Sequence, residues 1–232
     1  MDEIIGFARL PVIVPDLTNV LDFLNDNWQP HFNTRDYEGR WEVLPLRTPG
    51  GKDTIIPEPI NGEDGFADTP YMQKMPAVKQ LVDILKCPVG SVRLLNLKAG
   101  AIIKEHRDIE LAFESGYARL HFPVQTNDEV EFYVNNIRVI MLSGQCWYIN
   151  ANMPHRVSNL GNTDRIHLVM DVEVNDWLKG VFEASKKTTF KQRLDPVQTR
   201  QMIKAFREMQ SEHTNRMADD LELKLLAQEN DD

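Results

Sequence analysis

The stretch Arg165-Ile166-His167-Leu168-Val169-Met170-Asp171 alternates in a way that only a strand explains. Residues two apart on a strand share a face. Ile166, Leu168 and Met170 therefore form an apolar face, and Arg165, His167 and Val169 form the other. Arg119-Leu120-His121-Phe122 repeats the Arg-x-His pattern on a second strand-like run. Two readings are open. The Arg-x-His faces either meet solvent, or they turn inward as a buried cationic lining. An unpaired buried guanidinium is costly, so the inward case requires an anion. The planar fork of arginine suits a carboxylate, and a dicarboxylate cosubstrate fits.

Further strand-like runs lie at Ser91–Lys98, Tyr117–Gln125, Val130–Val134, Ile137–Met141 and Cys146–Asn150, and Arg165–Glu173 completes the set. Asn135-Asn136 suits a two-residue hairpin turn, because Asn tolerates positive φ. Ser143-Gly144 and Gly161-Asn162 mark further turns. Short strands at this spacing predict a mainly β fold, a jelly roll or double-stranded β-helix of the cupin-like kind. Upstream, Trp41–Leu46 reads as one more strand. Asp16 caps an expected short helix running to about Trp28, with Val20, Leu21 and Leu24 on one face. Pro76–Lys86 has helical periodicity with Pro in its first turn. Between them, Thr48–Pro76 is rich in Gly, Pro, Asp and Asn and reads as a long surface loop, a candidate lid. After Asp176 the pattern is helical. Asp195-Pro196 starts a helix, and Met202, Phe206, Met209, Met217, Leu221 and Leu225 form a stripe. The expected division is a barrel domain at 1–185, with its core at 91–173, and a helical extension at 186–232. The stripe packs on its own barrel or serves a homodimer.

Six histidines occur in the chain, and four of them (His106, His121, His155, His167) fall in the β region. His106-x-Asp108 aims an imidazole and a carboxylate at one point if the chain is extended there. His155 follows Pro154 further on. Two histidines and a carboxylate leave three metal positions open, the ligand set of non-haem iron(II) oxygenases. Isolated, the same residues also suit a structural His–Asp hydrogen bond.

The 232 residues carry 26 Lys and Arg against 35 Asp and Glu, a net charge of −9. That balance, with no basic stripe, argues against nucleic acid, whose phosphates need clustered cations. Cys87 and Cys146 are too few for a disulfide framework and read as small core side chains. No basic segment followed by an apolar run opens the sequence, and no apolar stretch approaches bilayer length. The expectation is a cytoplasmic protein with no membrane association.

From Leu97 to Asp171 the chain resembles the aspartyl/asparaginyl β-hydroxylase family. The resemblance rests on Ala99-Gly100 with Ile102-Ile103, His106-x-Asp108, Arg119-Leu120-His121, Gly144-Gln145-Cys146-Trp147, Pro154-His155 and Arg165–Asp171. It implies a double-stranded β-helix with iron(II) and 2-oxoglutarate as cofactors. Hydroxylation of an amino acid or amino-acid residue by molecular oxygen would be coupled to decarboxylation of 2-oxoglutarate to succinate. It implies His106, Asp108 and His155 as metal ligands, and Arg165 at the distal carboxylate of 2-oxoglutarate. Arg119, His121 and His167 would line the cosubstrate pocket. Asp108 departs from the animal members, which lack this carboxylate, and matches the bacterial free-amino-acid hydroxylases. Trp41 and Arg47 are candidates for the substrate wall, beside their plainer reading as core aromatic and surface charge. Two rival readings stand beside this one. One is a cupin-like enzyme using zinc or manganese, and the other a non-catalytic jelly-roll interaction module.

Overall fold

Pairing between residues far apart in sequence organises the larger of the two units into which the chain divides, Ile5–Thr188; the smaller comprises Met1–Ile4 and Thr189–Asp232. The computed structural model describes residues 3–23, 27–55, 65–108, 111–191 and 194–230. Five strands come early: β1 (Glu3–Leu10), β2 (Gln29–Pro30), β3 (Tyr37–Glu38), β4 (Trp41–Pro49) and β5 (Phe66–Asp68). After helix α1 (Pro76–Ile84) come β6 (Val89–Leu97), β7 (Ile102–His106), β8 (Tyr117–Gln125) and β9 (Val130–Val134). Then follow β10 (Ile137–Arg138), β11 (Cys146–Ile149), β12 (His155–Asn159), β13 (Arg165–Glu173), helix α2 (Asp176–Glu183) and β14 (Lys186–Lys191).

The pairs β6 with β13, β7 with β12, β8 with β11 and β9 with β10 are the rungs of one long antiparallel hairpin. Two further pairings, β8 with β13 and β9 with β12, wind that hairpin upon itself. A hairpin closed in this way is a double-stranded β-helix. Its strands fall into a larger sheet containing β1-β11-β8-β13-β6-β4-β2, with β5 on β4, and a smaller sheet β10-β9-β12-β7-β3. Asn135 and Asn136 turn the hairpin tip with φ of 46° and 63°, the conformation a two-residue turn demands. Gly39, at φ 81°, lets the chain leave β3 for β4. A Cβ there would stand 2.9 Å from that of Ala101.

The larger sheet divides its side chains as the alternation requires. Leu44, Leu94, Leu168 and Phe122 sit opposite one another across four strands. They share one core with Val78 and Leu81 of α1 and Leu178 and Phe182 of α2. Leu168 is wholly buried, which contributes about 2 kcal/mol. The opposite face of the sheet, carrying Arg93, Arg119, His121, Arg165, His167 and Asp171, lines the barrel interior. Cys146 is buried and Cys87 partly so, both as free thiols.

Several local expectations change. Asp16 does accept from the Thr18 amide and hydroxyl at 2.9 and 2.7 Å, but the helix is a 3-10 segment, Thr18–Phe23. Leu24 lies outside the described residues, and Trp28 is not helical. The strand expected at Ile137–Met141 ends at Arg138. The Thr48–Pro76 segment includes β5 and a 3-10 turn, Met72–Lys74; its residues 56–64 lie outside the described residues. β1, β2, β3, β7, β12 and β14 are additional strands.

In the smaller unit, α3 (Pro196–Glu208) starts at Pro196 with Asp195 accepting from the Gln198 amide. α4 (Glu212–Glu229) starts with a capping box between Ser211 and Thr214. Arg200 pairs with Glu229, and Arg207 with Asp219 and Glu222, across these two helices. Of the expected stripe, Leu225 is buried while Met202, Met209 and Met217 are exposed. Among the described residues no helix is long and apolar enough to cross a membrane.

Candidate metal centre

β7 ends at His106 and β12 begins at His155, and the two residues are direct cross-strand partners. Their rings lie 4.2 Å apart between centroids. The turn after β7 brings in Asp108, whose amide donates to the Ala151 carbonyl at 2.9 Å. One ligand atom from each of His106, Asp108 and His155 falls within 4.8 Å of the others. The Nε2 atom of His106 stands 3.8 Å from the Asp108 carboxylate.

The histidine tautomers follow from their partners. Nδ1 of His106 meets the Lys104 carbonyl at 2.8 Å, and Nδ1 of His155 meets the Met153 carbonyl at 2.9 Å. A carbonyl only accepts, so both Nδ1 atoms carry a proton, and Nε2 is the atom left on each ring to meet a metal. Such backbone anchoring is how metal-binding imidazoles are oriented. Burial, aided by the nearby His106, pushes the His155 pKa down to about 4, so His155 is neutral at physiological pH. Burial alone would raise the Asp108 carboxyl, but Arg119, with His155 and His106, outweighs it and holds the pKa below the usual range. Two imidazoles and one carboxylate are a donor set that fits a divalent first-row metal.

Behind Asp108 lies a chain of charges. Arg119 bonds Asp108 and also grips Asp171 at 2.7 and 3.1 Å. Arg93 reaches the same Asp171 at 2.6 Å. Burial pushes the Asp171 carboxyl up, but Arg119 and Arg93 overcome it and hold the pKa at about 2. Deeper in the barrel, Arg165 is 3% exposed and among the described residues has no carboxylate partner. Its Nη2 donates to His167 Nδ1 at 3.0 Å, and its Nε is buried without any partner. Burial depresses its pKa to about 9. Phe132 stands between this arginine and the triad. Its ring lies 5.5 Å from the Arg165 guanidinium and 6.4 Å from the parallel His155 ring. His121 and His167 meet edge to face at 5.8 Å, and burial lowers both pKa values well below the ordinary histidine value.

The sequence-derived residues thus gather along one interior, with one exception. Trp41 is buried and stacks on His31 at 3.5 Å between centroids. Arg47 has its partners elsewhere, the Val89 carbonyl at 3.2 Å and Asp68 at 2.8 Å. His31, Arg93 and Asp171 were not singled out from sequence. Arg93 does alternate with apolar Val92 and Leu94, the same signal that marks Arg165, whereas His31 has no local pattern. Burial, with Arg93 close by, pushes the His31 pKa down to about 3, and Asp108, Arg119 and His106 also act on it. His31 and Trp41 thus form a buried stacked pair.

The aspartyl/asparaginyl β-hydroxylase profile matches residues 8–174, nearly three quarters of the chain. The chain belongs to the aspartyl/asparaginyl β-hydroxylase family. A family relative, L-proline cis-4-hydroxylase of Rhizobium meliloti, is 26% identical over 178 residues, covering 75% of this chain. The match spans 59% of that relative's length. Among solved structures, a 2OG-Fe(II) oxygenase family oxidoreductase from Burkholderia pseudomallei aligns with TM-score 0.40 and 11% identity. That alignment covers 63% of this chain and 72% of the other. A predicted oxalate decarboxylase from Thermotoga maritima aligns with TM-score 0.37 and 15% identity, covering 64% and 93%. As a member of this hydroxylase family, the chain keeps both histidines and the carboxylate within reach of one point.

Proposed function

We propose that this family member is an iron(II)- and 2-oxoglutarate-dependent dioxygenase that hydroxylates a carboxylate-bearing amino acid. The observation that carries this reading is a bare His–Asp–His donor set sharing one barrel interior with a buried guanidinium that lacks a counter-charge. His106, Asp108 and His155 would hold iron through two Nε2 atoms and one carboxylate oxygen. Arg165 would hold the distal carboxylate of 2-oxoglutarate, with Phe132, His121 and His167 shaping the space around its aliphatic arm. When bound, iron and cosubstrate supply oxidative decarboxylation to succinate and carbon dioxide, coupled to insertion of oxygen into a C–H bond. The protein keeps Asp108 ionised through Arg119 and orients both imidazoles through backbone carbonyls.

Charge counting favours a substrate carboxylate. Arg93, Arg119 and Arg165 bring three positive charges, and Asp108 and Asp171 two negative ones. A divalent metal and a dianionic cosubstrate cancel, so one buried positive charge is left over. An uncompensated buried charge is costly. Trp41 adds a donor, since its Nε1 is buried without a partner. That indole would meet the substrate carboxylate. L-proline, the substrate in the relative's name, has such a group; a free amino acid therefore fits better than an internal peptide residue.

A zinc or manganese cupin-like enzyme, or a silent interaction module, would leave Arg165 with no anion to bind. The deciding experiment is anaerobic addition of iron(II) and 2-oxoglutarate to purified protein. A visible charge-transfer band is expected, and Asp108→Ala abolishes it. Succinate release would then be followed across free amino acids and short peptides. Folded, iron-loaded protein without that band rules the reading out.

A further inference from the structure

Between β11 and β12 the chain makes a turn, Asn150-Ala151-Asn152-Met153, in which the Met153 amide donates to the Asn150 carbonyl at 3.1 Å. Asn150 is buried and ties the turn to β1. Its amide donates to the Gly6 carbonyl at 2.8 Å, and its side chain donates to the Ile5 carbonyl at 3.0 Å. The same side chain accepts from the Asn152 amide at 3.1 Å. An asparagine bonded to the backbone two residues on locks a turn in this way.

Two members of the triad hang on this turn. The Met153 carbonyl holds Nδ1 of His155, and the Ala151 carbonyl holds the Asp108 amide. Asn152 grips the chain on both sides of Asp108. Its carbonyl accepts from the Arg107 guanidinium at 3.0 Å, and its side-chain Oδ1 accepts from the Leu111 amide at 3.1 Å. Arg119 bonds Oδ2 of Asp108, but a bond to one oxygen leaves the carboxylate free to pivot. The backbone anchorage decides where Oδ1 points, and Oδ1 faces Nε2 of His106 at 3.8 Å.

We propose that Asn152 is a positioning residue for the metal centre, whose side chain clamps the Asp108 segment so that a metal meets a preset carboxylate. The proposal rests on the reading of His106, Asp108 and His155 as metal ligands, and on nothing about the cosubstrate. Groups that orient metal ligands from outside set the affinity by about tenfold to a hundredfold. Of the anchors around Asp108, only the bond to Leu111 belongs to the Asn152 side chain. Asn152→Ala therefore removes that one bond and leaves the backbone anchors in place.

The test is a titration of the metal-free protein with cobalt(II), followed by its visible absorption. Asn152→Ala should bind about tenfold more weakly or worse. Asn152→Asp keeps an oxygen that accepts from the Leu111 amide and should recover most of the loss. Asp108→Ala should also bind weakly, and adding Asn152→Ala to it should cost nothing more, because Asn152 acts through Asp108. Full additivity would mean a general loosening and would overturn the proposal. Hydrogen exchange of the Leu111 amide reads the clamp without metal, and it should quicken in Asn152→Ala; equal exchange in both proteins overturns the proposal. Asn152→Gln, which displaces the oxygen by one methylene, carries the same expectations if Asn152→Ala does not fold. Equal cobalt affinity in the wild type and Asn152→Ala overturns this proposal alone. A wild type that binds no cobalt overturns it together with the metal reading beneath it. Cobalt binding that depends on Asn152, without a charge-transfer band from iron(II) and 2-oxoglutarate, sinks the oxygenase reading alone.

Discussion

Asp171 faces Arg119 across the β13–β8 register and receives two hydrogen bonds from its guanidinium, at 2.7 and 3.1 Å. The same carboxylate holds Arg93, so one buried anion fixes two buried cations that would otherwise repel. Arg119 in turn holds Asp108. The position of Asp108 thus depends on a residue outside the triad.

Asp171→Asn keeps the shape and removes the charge. Two buried guanidinium groups then share too little negative charge, which costs about 3–5 kcal/mol, as for other broken buried pairs. Urea unfolding of the metal-free protein measures this, and a loss under 1 kcal/mol would contradict the network described. Iron affinity should fall as well, because Arg119 is freed from the geometry that orients Asp108.

Arg165→Met should act with opposite signs on stability and on cosubstrate use. In the metal-free protein it removes an unpaired buried cation and leaves an apolar side chain of similar length, so the urea midpoint should hold or rise. A charge-assisted bidentate contact is lost to 2-oxoglutarate, so the cosubstrate KM should increase by about tenfold to a hundredfold. An unchanged cosubstrate KM would remove Arg165 from the cofactor site.

The outward face of the barrel was legible in the sequence because burial against α1 and α2 demands apolar residues at period two, as at Leu120, Leu168 and Met170. The inward face was not, because its buried residues are polar. His106 and His155 sit on β7 and β12, whose sequences Ile102–His106 and His155–Asn159 carry too few apolar side chains to read as strands. The His-x-Asp motif singled out His106, and the Pro-His pair His155, where periodicity could not. Whether the Arg-x-His faces turned in or out was undecidable from alternation alone, since both faces of β13 are buried. His31 was silent for another reason. It reaches the site through a tertiary stack on Trp41, and nothing in its neighbours' spacing records that contact.

Trp41→Phe separates the two things that the indole offers. The ring stack on His31 survives, but the Nε1 donor, buried without a partner, disappears. If that donor meets the substrate carboxylate, the amino-acid KM should rise by about tenfold, the worth of one hydrogen bond to a charged group. The cosubstrate KM should not move, because the cosubstrate carboxylate would be held by Arg165 and not by the indole. An equal rise in both constants would instead mean a general loosening of the wall.

Acid should destabilise the metal-free protein well before carboxylates titrate. His155 and His31 are held neutral by burial, with pKa values near 4 and 3, and His121 and His167 are shifted in the same direction. In the unfolded chain each returns to about 6.5. Below that value the unfolded state binds more protons than the folded one, so stability falls as pH drops. The contribution is fully present above pH 6.5 and is lost progressively toward pH 4, at up to about 1.4 kcal/mol per histidine per pH unit. Asp171, with its pKa near 2 against an ordinary 3.8, adds a later loss of the same sign below pH 4. The urea midpoint measured at pH 7.5, 6.0 and 5.0 should therefore decline steeply between the last two. Bound metal should flatten that decline around pH 6, since it competes with protons for the two Nε2 atoms. A midpoint constant from pH 7.5 to 5.0 would mean that these imidazoles are not buried in the neutral form.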